Sequence, residues 1–322
     1  MITSLNRRRI LIYLLLAFGF TWGLDFIVYR NGGLENSPPL VDGVPISQAL
    51  ALIALSMWGP ALANLITRAV TKEGRRDLWL RPHFRQGWPY WLLMWFLPAA
   101  LSVLGAALYF GLFPANFDPT MRGFQAQMAE ATGQAVDLPG SAMIALGFTQ
   151  AVLLAPLLNA LAVFGEEFGW RAYLQPKLMP LGARKTMLIM GVIWGVWHWP
   201  VIAMGYNYGV DYPGYPWLGP LAMVWFTMMV GTVLGWSVLR GKSVWPAVIG
   251  HGALNGIAGG AALFTTGTPN TLLGPLPVGL IGGIGWTVMA LILWWRMGSD
   301  APVSAGHEVA ETASADSLFG PG

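Results

Sequence analysis

The chain contains no cysteine. That excludes a disulfide framework, a thiol nucleophile and thiolate metal ligands. Charge is scarce as well: only 10% of the 322 residues are Asp, Glu, Lys or Arg, against about a quarter in a typical soluble domain. The net charge of +3 gives nucleic-acid binding no compositional support. No internal repeat and no soluble domain stand out. What fills the chain instead is 55% hydrophobic residues, with 17 Trp and 41 Gly, and a mean hydropathy of +0.54. The class this implies is all-α: a polytopic bundle of transmembrane helices.

Apolar runs of spanning length lie near 10–29, 46–67, 90–112, 142–164, 187–204, 217–239, 244–264 and 273–295. About 20 residues of helix cross about 30 Å of hydrocarbon, so the runs predict eight spans. The glycine-rich seventh is the least apolar of them. If the N-terminus is cytoplasmic, every Lys and Arg except Arg30 and Arg122 falls on the inner side. The outer segments hold Glu35, Asp42, Asp118, Glu130, Asp137 and Asp211. This asymmetry predicts eight spans with both termini cytoplasmic. The first run, "NRRRILIYLLLAFGFTWGLDF", has no small-x-small cleavage site after its apolar region and reads as a retained anchor. Residues 1–298 are expected to form one integral-membrane domain, and 299–322 a disordered, acidic cytoplasmic tail. The outer segment 113–140 is long enough for a short amphipathic helix, and 206–217 reads as a Pro/Tyr-rich interfacial turn. His83 and His307 fall in solvated segments.

Ionisable residues at membrane depth are costly and default to functional candidates. These are Glu166, Glu167 and Arg171 at the inner end of the fourth span, His198 in the fifth and His251 in the seventh. At 1.5 Å per residue, His198 lies about 16 Å and His251 about 10 Å into the helix from the inner side. Glu166 lies about 16 Å before the cytoplasmic Lys177 by the same rise. Three helices therefore bring unusual residues to a similar level. Asp25, near the outer end of the first span, is expected to reach the headgroups.

Helical periodicity sorts the candidates. Glu167 and Arg171 are i,i+4 and predict an internal salt bridge, which leaves Glu166 on another face without that partner. Asn159 shares the face of Glu166 two turns earlier. His251 and Asn255 are i,i+4, and Trp194 lies one turn before His198 and can pack beneath its ring. The pairs Gly191/Gly195 and Gly252/Gly256 allow close helix approach. Each feature has a structural reading when taken alone: the Glu/Arg pair as a clamp, a histidine or asparagine (Asn159, Asn255, Asn64) as interhelical glue. Together, two histidines, two carboxylates, an arginine and an asparagine at one depth suit catalysis, metal binding or proton handling. Glu166 suits a general base, and Asn255 an oxyanion donor. The histidines can polarise water, donate to an oxyanion or hold a metal. No H-E-x-x-H helix and no G-x-S-x-G context is present, so activated-water hydrolysis is favoured over a covalent intermediate.

The strings "EEFGWR" (166–171), "WGVWH" (194–198) and "HGALN" (251–255) fit, in order, E-E-x-x-x-R, aromatic-x-x-x-H and H-x-x-x-N. In order and spacing they resemble the CPBP family of intramembrane proteases, also called the CAAX protease or ABI family. "GEEFGWRAYLQPKL" and "WGVWHWP" resemble its bacterial branch. One departure is Trp194, where many members carry Phe. The resemblance implies an endopeptidase in the bacterial cytoplasmic membrane, in contact with lipid, that opens toward the cytoplasmic side. It also implies that Glu166 activates water and that Glu167 and Arg171 complete the first motif. His198, His251 and Asn255 would orient the water and stabilise the oxyanion, or, in the family's other description, His198, His251 and Glu166 would hold a divalent metal, zinc first. Asn159 and Trp194 would support the site. The substrate would be membrane-associated, a prenylated CAAX-type or bacteriocin-like peptide. The rival readings are a non-proteolytic scaffold or immunity protein and a proton-coupled transporter. The lack of a repeat weighs against transport.

Overall fold

The computed structural model describes residues 2–41, 46–75, 77–133 and 138–298. The tail 299–322 and its His307 lie outside the described residues. Among the described residues the chain is helical, with two isolated β-bridges and no strand. In chain order the main helices are α1 (Ser4–Arg30), α2 (Gln48–Val70) and α3 (Phe84–Leu112). They are followed by α4 (Arg122–Thr132), α5 (Gly140–Leu158), α6 (Ala160–Gly169), α7 (Ala183–Trp197) and α8 (Trp199–Ala203). The last three are α9 (Leu218–Gly241), α10 (Trp245–Ile257) and α11 (Ile284–Arg296). A π-helical turn, Trp170–Leu174, carries α6 on to Leu178.

Six of these helices are long and apolar enough to cross a membrane: α1, α2, α3, α5, α9 and α10 with its extension to Phe264. They account for six of the eight predicted spans. The fifth is broken at His198 into α7 and α8, because Pro200 has no N–H with which to continue the ladder. The eighth is helical only from Ile284 onward. The preceding 271–283 segment is irregular but knitted to itself, with Leu280 N–H donating to Leu272 O and Ile281 N–H to Leu273 O, each at 2.8 Å. Non-helical backbone at membrane depth is tolerated where protein buries it or a cavity borders it, and Val278 in this segment does border one.

Local chemistry explains where the elements begin. Thr3 and Ser47 accept from the backbone N–H groups of Asn6 and Leu50 at the starts of α1 and α2. The amphipathic helix expected in 113–140 is α4. Asp118 secures its start by accepting from Gly123 N–H at 2.9 Å. Pro246 opens α10, where the missing N–H has no helical partner to lose.

The centre of the bundle is α9, apolar around its whole circumference and mostly buried, as such a helix must be. It packs on α7, α10 and α11, while α10 also packs on α3, α5 and α6, and α2 packs on both α1 and α6. Small residues set these distances. A Cβ at Gly195 would stand 2.5 Å from Val224 Cα on α9, and one at Gly252 only 2.8 Å from Pro156 O on α5. The expected convergence of the polar-bearing helices therefore has a steric basis.

One end of the bundle is tied by a polar cluster around Glu73. Its carboxylate takes ion pairs from Arg9 at 3.4 Å, from Arg68 at 4.0 Å and from Lys177, and a hydrogen bond from Tyr173 Oη at 3.1 Å. Asn64 extends this cluster by accepting from Arg68 and donating to Phe168 O, so it acts as the interhelical tie expected of it.

Candidate active site

The break at His198 prepares one side of the site. With the helix ending there, the His198 backbone N–H donates to Gly195 O at 3.1 Å rather than continuing to Trp194 O. The imidazole takes that carbonyl instead, with Nδ1 2.7 Å from Trp194 O. A carbonyl only accepts, so Nδ1 carries the proton and Nε2 stays available. Trp194, one turn back, does more than pack beneath the ring. Its indole Nε1–H donates to Glu166 Oε2 at 2.7 Å and fixes that carboxylate.

Glu167 faces away from Glu166, as the 100° helical step requires, and becomes a hub. Its Oε1 accepts from Arg171 Nη1 at 3.1 Å, the predicted i,i+4 bridge, and from His251 Nδ1 at 2.8 Å. All three are buried, with Glu167 fully inaccessible. The Arg171 guanidinium also lies 4.2 Å from the Trp194 ring centre, an arrangement that favours the cation. Thus α6 holds α10 through His251, and the Trp194 indole locks α7 to α6. The two histidines share one arrangement: Nδ1 occupied, Nε2 left over.

Glu166, Trp194, His198, His251 and Asn255 all line one cavity of about 230 Å³. This is smaller than the roughly 300–1,000 Å³ of drug-sized ligand sites, a volume suited to a short stretch of peptide. Glu167 and Arg171 stand behind its wall rather than on it. Asn159 is elsewhere: its Nδ2 donates to Gly252 O at 3.0 Å, tying the α5–α6 junction to α10. The site-supporting role expected of it becomes a structural one, because its amide is used on backbone before it can reach the cavity.

Several cavity residues escaped the sequence reading. Asp25 is the main one, and the structure overturns its assignment to the headgroups. It is 1% exposed and lines the cavity wall, with neither carboxylate oxygen hydrogen-bonded. Thr21 one turn earlier, Ser56 at the end of the first half of α2, Tyr206 and Asn207 in the connection after α8, and Thr227 of α9 complete the polar lining. The signal for Asp25 is the pair Thr21 and Asp25, i,i+4 in the apolar stretch 10–28 of α1.

The zinc expectation is not established by this arrangement. Among the described residues no three His, Asp or Glu side chains come together to hold a metal ion, and Glu166 has one oxygen engaged by Trp194. What the cavity offers is a fixed carboxylate, two imidazole Nε2 atoms and a primary amide around a small volume. That set can deprotonate water and stabilise an oxyanion.

Residues 147–257 match the family described as type II CAAX prenyl endopeptidase Rce1-like. The match covers every cavity residue drawn from the three motifs and bears out the resemblance to the CAAX/CPBP intramembrane proteases. Comparison with curated proteins finds no match.

Proposed function

With residues 147–257 belonging to the Rce1-like family of type II CAAX prenyl endopeptidases, we propose that the chain hydrolyses a peptide bond of a membrane-associated substrate by glutamate-activated water. The observation that carries this reading is the Glu166 carboxylate, pinned by Trp194 and sharing a small cavity with His198, His251 and Asn255. Glu166 removes a proton from water as the oxygen attacks the peptide carbonyl carbon. The carbonyl oxygen becomes an oxyanion, for which the Asn255 amide N–H is the donor. The imidazoles of His198 and His251, each protonated at Nδ1, offer Nε2 as an acceptor that orients the water. Collapse of the tetrahedral intermediate breaks the C–N bond, and Glu166 returns its proton to the leaving amine. Glu167 and Arg171 touch no reacting atom. They hold His251 and the face of Trp194 in place. No step requires a metal.

Prenylated CAAX-type and bacteriocin-like peptides are the substrate classes expected from the resemblance. Access to the site is part of the same proposal. Asp25 lies about 24 Å along α1 from Arg9 at 1.5 Å per residue, so with the basic end cytoplasmic the Asp25 end of the cavity is nearer the outer face. The test is cleavage of lipid-tethered peptides by oriented proteoliposomes, with peptide supplied to one compartment at a time, with and without chelator. The expected result is cleavage that persists with chelator and drops by about 10²–10⁴-fold in Glu166→Gln, the range of general-base catalysis. Undiminished cleavage by a folded Glu166→Gln variant sinks the mechanism, abolition by chelator sinks its metal-free form, and the productive compartment fixes the side of access.

A further inference from the structure

The cavity holds a second carboxylate that the mechanism does not use. Asp25 is set in its wall, 1% exposed, with both oxygens lacking a hydrogen-bond partner. Its position is not the result of a loosely placed helix. Three residues earlier, the Trp22 indole N–H donates to Trp197 O at 3.1 Å, beside His198. One turn earlier, Thr21 Oγ1 donates to Ser56 O at 3.1 Å. Gly59 lets α2 approach so closely that a Cβ there would lie 2.7 Å from Thr21 Oγ1. Three contacts, one with α7 and two with α2, thus hold α1 with Asp25 on the cavity wall, yet neither helix offers the carboxylate a donor.

The charges around the cavity complete the observation. Its lining contains Asp25, Glu166, His198 and His251 but no Lys or Arg. Arg171, a cation behind the wall, is engaged with Glu167. An unpaired buried carboxylate is costly to keep, and here it sits where a bound peptide would bring its own groups.

We propose that Asp25 is a specificity-determining residue, which receives a cationic side chain of the peptide substrate, an ammonium or guanidinium, next to the bond that Glu166 attacks. This rests on the endopeptidase reading and narrows it. A Lys or Arg side chain entering the cavity gives both Asp25 oxygens the donors that the fold withholds, with the aliphatic stem against Met223, Phe226 and Leu254 on the same lining.

The test uses the full chain in nanodiscs and lipid-tethered peptides that differ at one position flanking the scissile bond: Lys, Arg, norleucine or Glu. The wild type is expected to prefer Lys or Arg over norleucine in kcat/KM on the order of 30-fold or more, the fold-change of pairing a buried charge. Asp25→Asn is expected to abolish that ratio and Asp25→Glu to restore most of it. A purely structural Asp25 would lower the melting temperature while leaving the ratio intact, which would overturn the proposal, as would a wild type indifferent to Lys. A second measurement does not require turnover: binding of the same peptides to Glu166→Gln, followed by the fluorescence of the cavity tryptophans Trp194 and Trp197. Tighter binding of the Lys peptide, lost in Glu166→Gln/Asp25→Asn, supports the cation site even if no cleavage is seen. Equal binding of the Lys and norleucine peptides refutes it whatever the activity.

Discussion

Two carboxylate clusters sit in the same bundle, one around Glu73 and the other around Glu166, Glu167 and Asp25, and they are built to opposite rules. Glu73 takes Arg9, Arg68, Lys177 and Tyr173, so its acceptor capacity is filled from α1, α2 and the helical extension of α6. It does not line the site cavity. In the site cluster, Glu167 is tied to Arg171 and His251, but its Oε2, the Arg171 Nε and both Asp25 oxygens lack partners. A cluster whose task is to hold helices together gains by saturating every group. One that must bind and react keeps groups in reserve at a cavity and fixes them from behind. The difference separates clamp from site more sharply than charge or burial does, since both clusters are charged and largely buried.

The comparison can be broken most forcefully at Glu167, which belongs to the site but behaves like a clamp. Glu167→Gln leaves Arg171 buried without its counter-charge, and losing one partner of a buried pair costs about 3–5 kcal/mol. It also replaces the carboxylate that holds His251 Nδ1 with the weaker, neutral amide oxygen. The expected outcome is a large fall in thermal stability together with a fall in kcat that persists after correction for the folded fraction. If activity per folded molecule stays at the wild-type level, Glu167 is only a clamp and the contrast between the clusters fails at that residue.

At Glu73 the effect is smaller and confined to stability. Glu73→Gln removes the charge that Arg9, Arg68 and Lys177 share, and losing hydrogen bonds to a charged group costs about 1.5–3 kcal/mol. Activity per folded molecule is expected to hold. The pH dependence has a definite sign. Burial pushes the Glu73 carboxyl up, but the hydrogen bond and charge of Lys177, with the charges of Arg68 and Arg9, outweigh it and leave the group below the ordinary carboxylate range. A carboxyl held lower in the folded protein stabilises it fully above its unfolded pKa of about 4.3. That contribution fades as pH falls through the folded value. Melting temperatures of wild type and Glu73→Gln should therefore converge on acidification below about pH 4. A gap that does not change with pH would show that Glu73 acts through packing alone.

How much of this was legible in the sequence differs between the parts. The apolar runs reveal the six long helices because a spanning helix needs only length and apolarity, which a sequence displays directly. They do not reveal the break at His198 as a working feature, nor the irregular 271–283 segment, since hydropathy is blind to backbone path. The i,i+4 spacing shows the Glu167–Arg171 bridge because it lies within one helix. The link from Glu167 to His251 and that from Trp194 to Glu166 join helices 84 and 28 residues apart, and no local periodicity encodes them. Asp25 was set aside for a related reason. Distance from a helix end indicates reach to headgroups, but the rotation of α1 against α2 and α7 decides which way the side chain faces.

Asn159 is the smallest effect and the cleanest sharpening of the comparison. By helical face it belonged with Glu166, yet its amide donates to Gly252 O instead of lining the cavity. By the rule that separates the clusters it is therefore a clamp, even though it lies between two parts of the site. Asn159→Ala removes one part-buried hydrogen bond to a backbone carbonyl, a loss of about 0.5–1.5 kcal/mol. The expected result is a modest fall in melting temperature with kcat/KM within about twofold of wild type, the Gly252 carbonyl being held already by the helical ladder of α10. Because Gly252 follows His251 directly, the experiment also asks how rigidly α10 carries its histidine. A fall in kcat much beyond twofold, with the melting temperature unchanged, would mean that the α5–α10 tie sets the position of His251, and Asn159 would then move from the clamp to the site.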